Sequence, residues 1–490
     1  MLHPTWFRGR RVTVMGLGTL GGGLGVARWL LRHGARLTVT DLRDRHALAG
    51  SVEALEKEYA RRRRGRKGIV YKPRYVLGRH EPADFSGADM VVRNPAVPRE
   101  HELLRLARRR KIAVETDISL FFRLCPFPIT AVTGTKGKST TTALLGAMVR
   151  RHDSRTVIGG NIRISPFDHL DGLLAAAGQD VPPPVVLELS SWQLEGLVPH
   201  RLSPHIGVLT NIMEDHLNRY RDLDDYARAK ATIVAYQRRQ DIGVFNADDA
   251  RVRKIAAQGR GRRKPAGRRF WFGSRVRSGD GCYLDRGHIV IRDRGVRRRV
   301  MPVSGLPLPG SHNVSNVLAA CAAAHHLGIP IPTMRAAIRS FRGVPDRLEI
   351  LRRHRGVLYV NDTTATMPEA CVAALRAYGT GRKRRIILIA GGADKELRFD
   401  DWSGEVGRTV KHLILFRGSA TPKMEEALER AGVSVPTYSA GSMSEAVREA
   451  RRHAERGDVV LLSPACASFG LFRNEFDRGD RFRAAVRRPR

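Results

Sequence analysis

The sequence predicts an α/β protein built from parallel, doubly wound sheets, and three observations lead to this prediction. Short apolar runs typical of buried strands alternate with helical stretches along the whole chain of 490 residues. Two glycine-rich turns, "GLGTLG" at 16–21 and "GTKGKS" at 134–139, each follow an apolar run and precede a helical stretch. The length also suits about three domains, which we expect at residues 1–116, 117–343 and 344–490.

Each segment contributes its own strands and helices. In the first, "RRVTVMG" and "RLTVTD" predict strands on either side of the helix "LGVARWLLRHG", and "DMVVRNPAVP" predicts another strand. In the second, "FPITAVTG", "PVVLELSS" and "HIGVLTNI" predict strands, "KSTTTALLGAMVRRH" a helix, and residues 260–305 a small β appendage. In the third, "RRIILIAGGA", "KHLILFRG" and "GDVVLLSPA" predict strands separated by helices such as "TPKMEEALERAG". Ligands are then expected at the carboxyl ends of the strands.

The composition indicates a cytosolic protein without membrane insertion. No stretch approaches the ~18 unbroken apolar residues of a membrane span, and the start, "MLHPTWFRGRRVTV", lacks the apolar region of a secretory signal. The five cysteines form no C-x-x-C pair. That distribution fits a reducing compartment and argues against a disulfide framework or a structural zinc site.

The charge raises a nucleic-acid hypothesis, because 86 Lys and Arg stand against 48 Asp and Glu, a net charge of +38. The densest basic runs, "ARRRRGRKG", "GRGRRKPAGRR" and "RDRGVRRRV", contain few aromatic residues for base stacking. We therefore interpret them as solvated surface loops, and nucleic acid is not an expected partner. A positive field of this size would also attract anionic small molecules.

The second glycine turn has the features of a phosphate-binding loop. Gly137-Lys138-Ser139 ends the loop as G-x-x-x-x-G-K-S/T does, but only Thr135 and Lys136 separate Gly137 from Gly134. Backbone N–H groups at the start of the following helix can hold phosphates, with Lys138 adding charge and Ser139 a magnesium ligand. The sequence predicts a nucleotide site here.

Two further strand ends offer hard ligands for a magnesium ion. Glu188 ends "VVLE", and Asp215 and His216 follow the strand "HIGVLTNI". At the first glycine turn, Asp41 lies 25 residues beyond Gly16, which matches a dinucleotide fingerprint. That match leaves two alternatives open, NAD or a different nucleotide diphosphate.

An ordered series of motifs resembles the Mur ligase family. The series runs "GTKGKSTTT", "ELSSWQLE", "NIMEDHLNRY", "YARAK", "GSHNVSN", "DRLE", "NDTTAT" and "LLSPACASFGLF", and it covers essentially the whole chain. The two-residue gap between the loop glycines is characteristic of this superfamily. The resemblance implies a Rossmann-like N-terminal domain, a central P-loop ATPase-like domain and a C-terminal Rossmann-like domain.

The resemblance also implies an activity and its partners. A Mur ligase forms an amide bond through an acyl phosphate, using ATP and two Mg²⁺ ions. The short first domain and the "SPACAS" segment imply that D-glutamate is added to UDP-N-acetylmuramoyl-L-alanine in peptidoglycan precursor synthesis. We expect a monomer, in the cytoplasm that the composition indicates. Alternatives are addition of L-glutamate or another amino acid to the same precursor, a folylpolyglutamate synthase, a UDP-sugar-binding relic, and a basic P-loop ATPase that binds nucleic acid.

Roles for individual residues follow from the matching motif positions. The catalytic and metal-binding set comprises Ser139, Lys138, Glu188, His216, Arg347 and Lys230, which matches a carbamylated lysine. The nucleotide-binding set adds Gly134, Thr135, Lys136, Gly137, Thr140, Asn313, Asn316 and Asp362. The UDP-substrate set comprises Gly18, Thr19, Leu20, Asp41, Arg43, Asn94, Asn161, Ser190 and Gln193. The glutamate set comprises Thr364, Lys395, Ser468 and Phe469.

Two positions depart from the family pattern. Thr364 stands where a lysine is expected beside the amino-acid carboxylate, and Asp346 stands where histidine is usual. The loss of a cationic donor at Thr364 leaves the choice between D- and L-glutamate open.

Overall fold

The structure is a computed structural model of the chain. It describes residues 2–18, 21–65, 70–162, 164–214, 219–258, 266–274, 279–308, 310–379, 381, 383–394, 397–468 and 470–487.

The first sheet has five parallel strands in the order β3-β2-β1-β4-β5, the order of a Rossmann-like domain. Its strands are β1 (Arg11–Met15), β2 (Arg36–Asp41), β3 (Arg74–Leu77), β4 (Met90–Arg93) and β5 (Ala113–Thr116). Its helices are α1 (Gly22–Arg32), α2 (Ala49–Arg64), α3 (Pro82–Ser86), α4 (Glu102–Arg109) and α5 (Asp117–Leu124).

The second sheet has nine strands in the order β14-β13-β12-β11-β10-β9-β6-β8-β7. The strands are β6 (Ile129–Thr133), β7 (Val157–Gly160), β8 (Val185–Glu188), β9 (Ile206–Leu209), β10 (Ile242–Asn246), β11 (Arg268–Gly273), β12 (Gly281–Asp285), β13 (His288–Asp293) and β14 (Val296–Pro302). The helices are α6 (Lys138–His152), α7 (Phe167–Ala175), α8 (Ser191–Leu197), α9 (Leu223–Ala235), α10 (Ala250–Gln258), α11 (Ser311–His326) and α12 (Ile331–Ser340). The expected β appendage is the edge of this sheet, because β11 pairs in parallel with β10 and the antiparallel β12, β13 and β14 continue outward.

The third sheet has six strands in the order β15-β16-β20-β17-β18-β19, parallel except for the antiparallel edge strand β15. The strands are β15 (Glu349–His354), β16 (Val357–Asn361), β17 (Ile386–Ala390), β18 (Val410–Phe416), β19 (Thr437–Ala440) and β20 (Val459–Leu462). The helices are α13 (Pro368–Tyr378), α14 (Asp400–Thr409), α15 (Thr421–Arg430), α16 (Met443–His453) and α17 (Glu475–Arg487).

The chain divides into two compact units. Unit 1 comprises residues 1–305 and 314–339 and contains the first two sheets, and unit 2 comprises residues 306–313 and 340–490 and contains the third. Within unit 1, Trp29 of α1 donates a hydrogen bond to Asp171 of α7 (2.8 Å) and packs edge-on against Phe167. The predicted α/β class is confirmed, whereas the domain boundaries at 116/117 and 343/344 stay predictions. No helix among the described residues is long and apolar enough to cross a membrane.

Candidate functional site

The phosphate loop lies at the carboxyl end of β6, an interior strand of the second sheet. Strand β6 pairs in parallel with β8 on one side and with β9 on the other, in registers that align Val132 with Glu188 and Thr133 with Leu209. The segments that leave these three strands therefore meet at one edge of the sheet, where an α/β fold binds its ligand.

Both loop glycines occupy positions that a larger residue cannot take. Gly134 has φ +152°, and a Cβ atom there would lie 1.8 Å from Oγ1 of Thr210. Gly137 has φ +81° at the N-cap of α6, and its Cβ would lie 2.2 Å from Oδ1 of Asn316. Left-handed backbone and close approach both require glycine. The motif glycines are thus explained by the shape of the loop itself.

The segment after β9 holds the loop in place. Asn211 accepts hydrogen bonds from the N–H of Thr135 through its backbone oxygen (2.9 Å) and from the N–H of Lys136 through its side chain (2.8 Å). The Oγ1 of Thr210 donates to the carbonyl of Lys136 (2.8 Å). Sequence reasoning missed Thr210 and Asn211, although Asn211 is part of the "NIMEDHLNRY" motif.

Two lysines approach the loop carbonyls from different helices. The Nζ of Lys138 donates to the carbonyls of Gly134 (3.0 Å) and Thr135 (2.9 Å). Lys230 on α9 is 1% exposed, donates to the same Gly134 carbonyl (2.7 Å) and lies over the ring of Tyr226. The structure therefore brings Lys138 and Lys230 together, although they are 92 positions apart in sequence.

The start of α6 is the anion-binding end of this arrangement. No side chain caps the helix among the described residues, and Ser139 and Thr140 lie in its first turn. The first N–H groups of a helix have no partner within the helix and carry its positive dipole end. A phosphate group fits those donors.

Glu188 has one carboxylate oxygen available for a cation. The side chain is 1% exposed, and its Oε1 accepts a hydrogen bond from Nδ2 of Asn161 (2.8 Å). Its Oε2 is buried and has no hydrogen-bond donor among the described residues. Burying a carboxylate oxygen without a hydrogen-bond donor costs free energy. A bound cation would offset that cost, and a carboxylate oxygen is a ligand that suits Mg²⁺. The other predicted hard ligands, Asp215 and His216, lie outside the described residues.

Three predicted UDP-substrate residues make hydrogen bonds to neighbouring groups of unit 1. Ser190 and Gln193 form a reciprocal capping box at the start of α8, and Asn161 orients Glu188. Their contact with a substrate stays a prediction.

The first glycine turn gathers the other predicted UDP-substrate residues. The carboxylate of Asp41 accepts from the N–H of Gly18 (3.2 Å) and of Arg43 (3.0 Å). Asn94 donates to the carbonyl of Gly16 (3.3 Å) from the end of the neighbouring strand β4. Thr19 and Leu20 lie outside the described residues.

Arg219 connects the Asn94 loop to α8 and was missed by sequence reasoning. Its guanidinium donates to the carbonyls of Ala96 (3.1 Å) and Pro95 (3.4 Å) and to Glu195 (3.4 Å). It also lies 4.6 Å from the ring centroid of Trp192. The signal was available, since Arg219 follows His216 within the same motif.

In unit 2, Arg347 lies in a strained turn beside Asp362. Residues Asp346 and Leu348 on either side of Arg347 have positive φ values of 66° and 45°. Asp362 accepts from the N–H of Leu348 (3.1 Å) and from Oγ of Ser463 (2.8 Å). Burial raises the pKa of Asp362 to about 7, against the lowering effect of those hydrogen bonds.

The described part of the predicted glutamate set lies on the loops after β16 and β20. Thr364 donates through Oγ1 to the carbonyl of Asp346 (2.8 Å), so the two positions that depart from the family pattern are in contact. Ser468 is 3% exposed, whereas Lys395 and Phe469 lie outside the described residues.

The two predicted adenine-side asparagines lie near the start of α11. Asn313 is 4% exposed, and its N–H donates to the carbonyl of Gly310 (3.0 Å). Asn316 accepts from Oγ1 of Thr141 on α6 (3.3 Å), which places it beside the phosphate loop.

Models of known protein families match two successive parts of the chain. A family model described as the Mur ligase middle domain matches residues 132–324, and one described as the Mur ligase glutamate ligase domain matches residues 346–466. A UDP-N-acetylmuramoylalanine–D-glutamate ligase of Roseiflexus sp. (strain RS-1) is 44% identical over 98% of this chain and 98% of its own. One of Geobacter metallireducens is 38% identical over 98% of this chain and 97% of its own.

Solved structures agree at the level of fold. A UDP-N-acetylmuramate-alanine ligase from Thermotoga maritima has a TM-score of 0.57 at 19% identity, covering 97% of this chain and 99% of that one. A MurF ligase from Acinetobacter baumannii has a TM-score of 0.56 at 17% identity, covering 97% of this chain and 93% of that one. By its sequence over nearly its full length and by its fold, the chain belongs to the Mur ligase family.

Proposed function

We propose that this chain is an ATP-dependent amide ligase that adds D-glutamate to UDP-N-acetylmuramoyl-L-alanine in peptidoglycan precursor synthesis. The observation that carries the proposal is the match over 98% of the chain to a relative named as that ligase, at 44% identity. The intact phosphate loop and the buried groups around it support an active enzyme over a binding relic.

The loop residues would hold ATP. When bound, ATP supplies the γ-phosphoryl group that turns the alanyl carboxylate into an acyl phosphate, from which the glutamate amine displaces phosphate as the amide bond forms. Lys138 neutralises phosphate charge, and the first-turn N–H groups of α6 donate to phosphate oxygens. Asn211 and Thr210 keep those donors aligned by fixing the loop backbone. Asn313, Asn316, Arg347 and Asp362 complete the proposed nucleotide-binding set.

Magnesium would be held by Ser139 and Glu188 at one position and by His216 at a second. The free Oε2 of Glu188 is the observation that favours a cation here. Mg²⁺, when bound, neutralises charge that develops on the transferred phosphoryl group. We further propose that Lys230 is carbamylated, since a carbamate would replace a buried ammonium with an anion suited to a metal site.

The first sheet would bind the UDP part of the acceptor. Gly18, Asp41, Arg43 and Asn94 lie together at the carboxyl ends of β1, β2 and β4, where a Rossmann-like domain holds its nucleotide. Thr19, Leu20, Asn161, Ser190 and Gln193 complete the proposed set. The oligomeric state we propose is a monomer. The compartment we propose is the cytoplasm, since the described cysteines are buried thiols outside any disulfide.

The test is phosphate release from ATP with UDP-N-acetylmuramoyl-L-alanine and D-glutamate, L-glutamate or no amino acid. We expect release that depends on both the acceptor and D-glutamate. Release with L-glutamate alone would reassign the amino acid and keep the ligase chemistry. An absence of release with either amino acid would contradict the proposed function.

A further inference from the structure

Helix α17 contacts the loops of unit 2 that carry the proposed glutamate-binding residues. Arg478 on this helix is completely buried and donates from all three guanidinium nitrogens. Two of these hydrogen bonds reach Thr363 after β16, at Oγ1 (3.0 Å) and at the carbonyl (2.8 Å). The third reaches the carbonyl of Cys466 after β20 (3.3 Å). One side chain therefore joins the loop of Thr364 to the loop of Ser468.

The acceptors of Arg478 are unusual for a buried cation. Within the described part of the chain, the hydrogen bonds of its guanidinium go to carbonyls and a hydroxyl, and no carboxylate lies within ion-pair distance. Burial lowers the pKa of Arg478 to about 10. A buried charge without a counter-ion opposes folding, and the hydrogen bonds of Arg478 hold two separate loops to one helix. The side chain is therefore placed to fix the loop after β16 and the loop after β20 against α17.

The same helix also holds the turn that carries Arg347. Arg483 donates to Oδ1 of Asp346 (2.8 Å) and to Oε2 of Glu349 (2.7 Å). Gly479 allows close approach, because a Cβ atom there would lie 2.2 Å from Oδ1 of Asp346. The side chain of Asp346 is thus fixed from α17, immediately before Arg347.

Thr364 fixes the opposite side of that turn. Its backbone N–H (3.1 Å) and its Oγ1 (2.8 Å) both donate to the carbonyl of Asp346. Asp346 has φ +66°, a conformation that aspartate tolerates better than most residues. Thr364 and Asp346, the two residues that depart from the family pattern, are therefore joined by two hydrogen bonds.

We propose that Arg478 and Arg483 are positioning residues for the ligase reaction. Arg478 fixes the two loops that carry the proposed glutamate-binding residues, and Arg483 fixes the turn that carries Arg347, a residue of the proposed nucleotide-binding set. The inference rests on the proposed function and deepens it. Because the two arginines act on different loops, their loss has different kinetic consequences.

The kinetic test compares Arg478→Lys and Arg483→Lys. Lysine keeps the charge but presents its donors from a single nitrogen, without the planar fork by which an arginine reaches acceptors on two loops. We expect Arg478→Lys to raise the KM for glutamate about tenfold, with the KM for ATP within about twofold of wild type. We expect Arg483→Lys to lower kcat/KM for ATP about tenfold, with the KM for glutamate within about twofold. Arg481→Lys is the matched control, since Arg481 is an exposed arginine of α17 paired with Asp477, and we expect no change.

A stability measurement separates positioning from a purely structural role. Arg478→Met leaves the carbonyls of Thr363 and Cys466 without this donor, so we expect a lower melting temperature together with a raised KM for glutamate. A lower melting temperature with unchanged KM values would overturn the positioning role of Arg478. If the Arg478 and Arg483 variants changed every kinetic constant in parallel, the proposal that the two arginines position different loops would be overturned.

Hydrogen exchange tests the inference independently of the proposed function. In Arg478→Lys we expect faster amide exchange at residues 362–366 and 463–468 than in wild type, whether or not the protein uses glutamate. Unchanged exchange in both loops would overturn the positioning role. Absent ligase activity in wild type, combined with faster exchange in the variant, would instead refute the proposed function alone.

Discussion

At the residue scale, Gly134 shows how one missing side chain decides the phosphate loop. In Gly134→Ala, the new methyl group would collide with Oγ1 of Thr210 at 1.8 Å and displace the loop or the segment after β9. Displacement of a positioning group by about 1 Å typically costs about 100-fold, and we expect a loss of that order in kcat/KM for ATP. Steady-state phosphate release measures it.

Gly172→Ala is the control for that substitution. Gly172 lies on the surface of α7, and its Cβ would meet nothing within 4 Å. Alanine favours a helix over glycine by about 1 kcal/mol, so we expect unchanged activity and equal or greater stability. Equal kinetics for Gly134→Ala and wild type would contradict the close contact at Thr210.

Asp362 gives a prediction for the pH dependence of stability. Its folded pKa of about 7 is above the value for an unfolded chain. Between about pH 4 and pH 7 the unfolded state releases this proton while the folded state keeps it, so the free energy of unfolding falls as pH rises. We expect Asp362→Asn to lack that contribution. The difference in free energy of unfolding between wild type and the variant should therefore change by a few kcal/mol between about pH 4 and pH 7. Urea unfolding at several pH values measures it, and parallel stability profiles would contradict the buried, protonated carboxyl.

At the scale of elements, the segment after β9 acts as a clamp on the loop before α6. Asn211→Ala removes the acceptor of the Lys136 N–H (2.8 Å) and the donor to the Lys136 carbonyl (3.0 Å). Each hydrogen bond contributes about 1 kcal/mol. We therefore expect the KM for ATP to rise by about tenfold or more, with an unchanged KM for the UDP-substrate. A rise in both KM values would show that the clamp also shapes the acceptor site.

Arg219 makes the corresponding connection for the acceptor loop. Arg219→Lys loses the planar group that stacks on Trp192 and donates to both Pro95 and Ala96. We expect the KM for the UDP-substrate to rise about tenfold while the KM for ATP stays unchanged. Titration of each substrate at saturating levels of the others measures this, and a selective rise in the KM for ATP would refute the assignment.

At the scale of the whole molecule, the net charge of +38 predicts binding to polyanions without a catalytic consequence. We expect DNA to be retained at low salt and released between about 50 and 200 mM salt, as purely electrostatic binding is. Added DNA should not stimulate phosphate release. DNA-stimulated hydrolysis would revive the nucleic-acid hypothesis.

Part of the candidate site was predictable because its residues are adjacent in sequence. Gly134 to Ser139 follow one strand, and Glu188 ends another, so strand periodicity located them. Thr210 and Asn211 lie inside the predicted strand "HIGVLTNI" and Arg219 lies beyond it, and all three were missed because polar residues at a strand end or in a loop give no periodic signal. Arg478 was missed for a different reason. Its partners Thr363 and Cys466 lie in the loops after two different strands, and only the folded chain brings them to one helix.

The sequence by itself determined the α/β class, the order of the strands along the chain and the membership of the Mur ligase family, since these follow from local patterns and ordered motifs. The tertiary structure decided that the short strands after β10 extend the central sheet, that Glu188 keeps one carboxylate oxygen free, and that Thr364 contacts Asp346. Burial and hydrogen bonding between distant segments depend on the packing of the whole chain. No local pattern of residues encodes them.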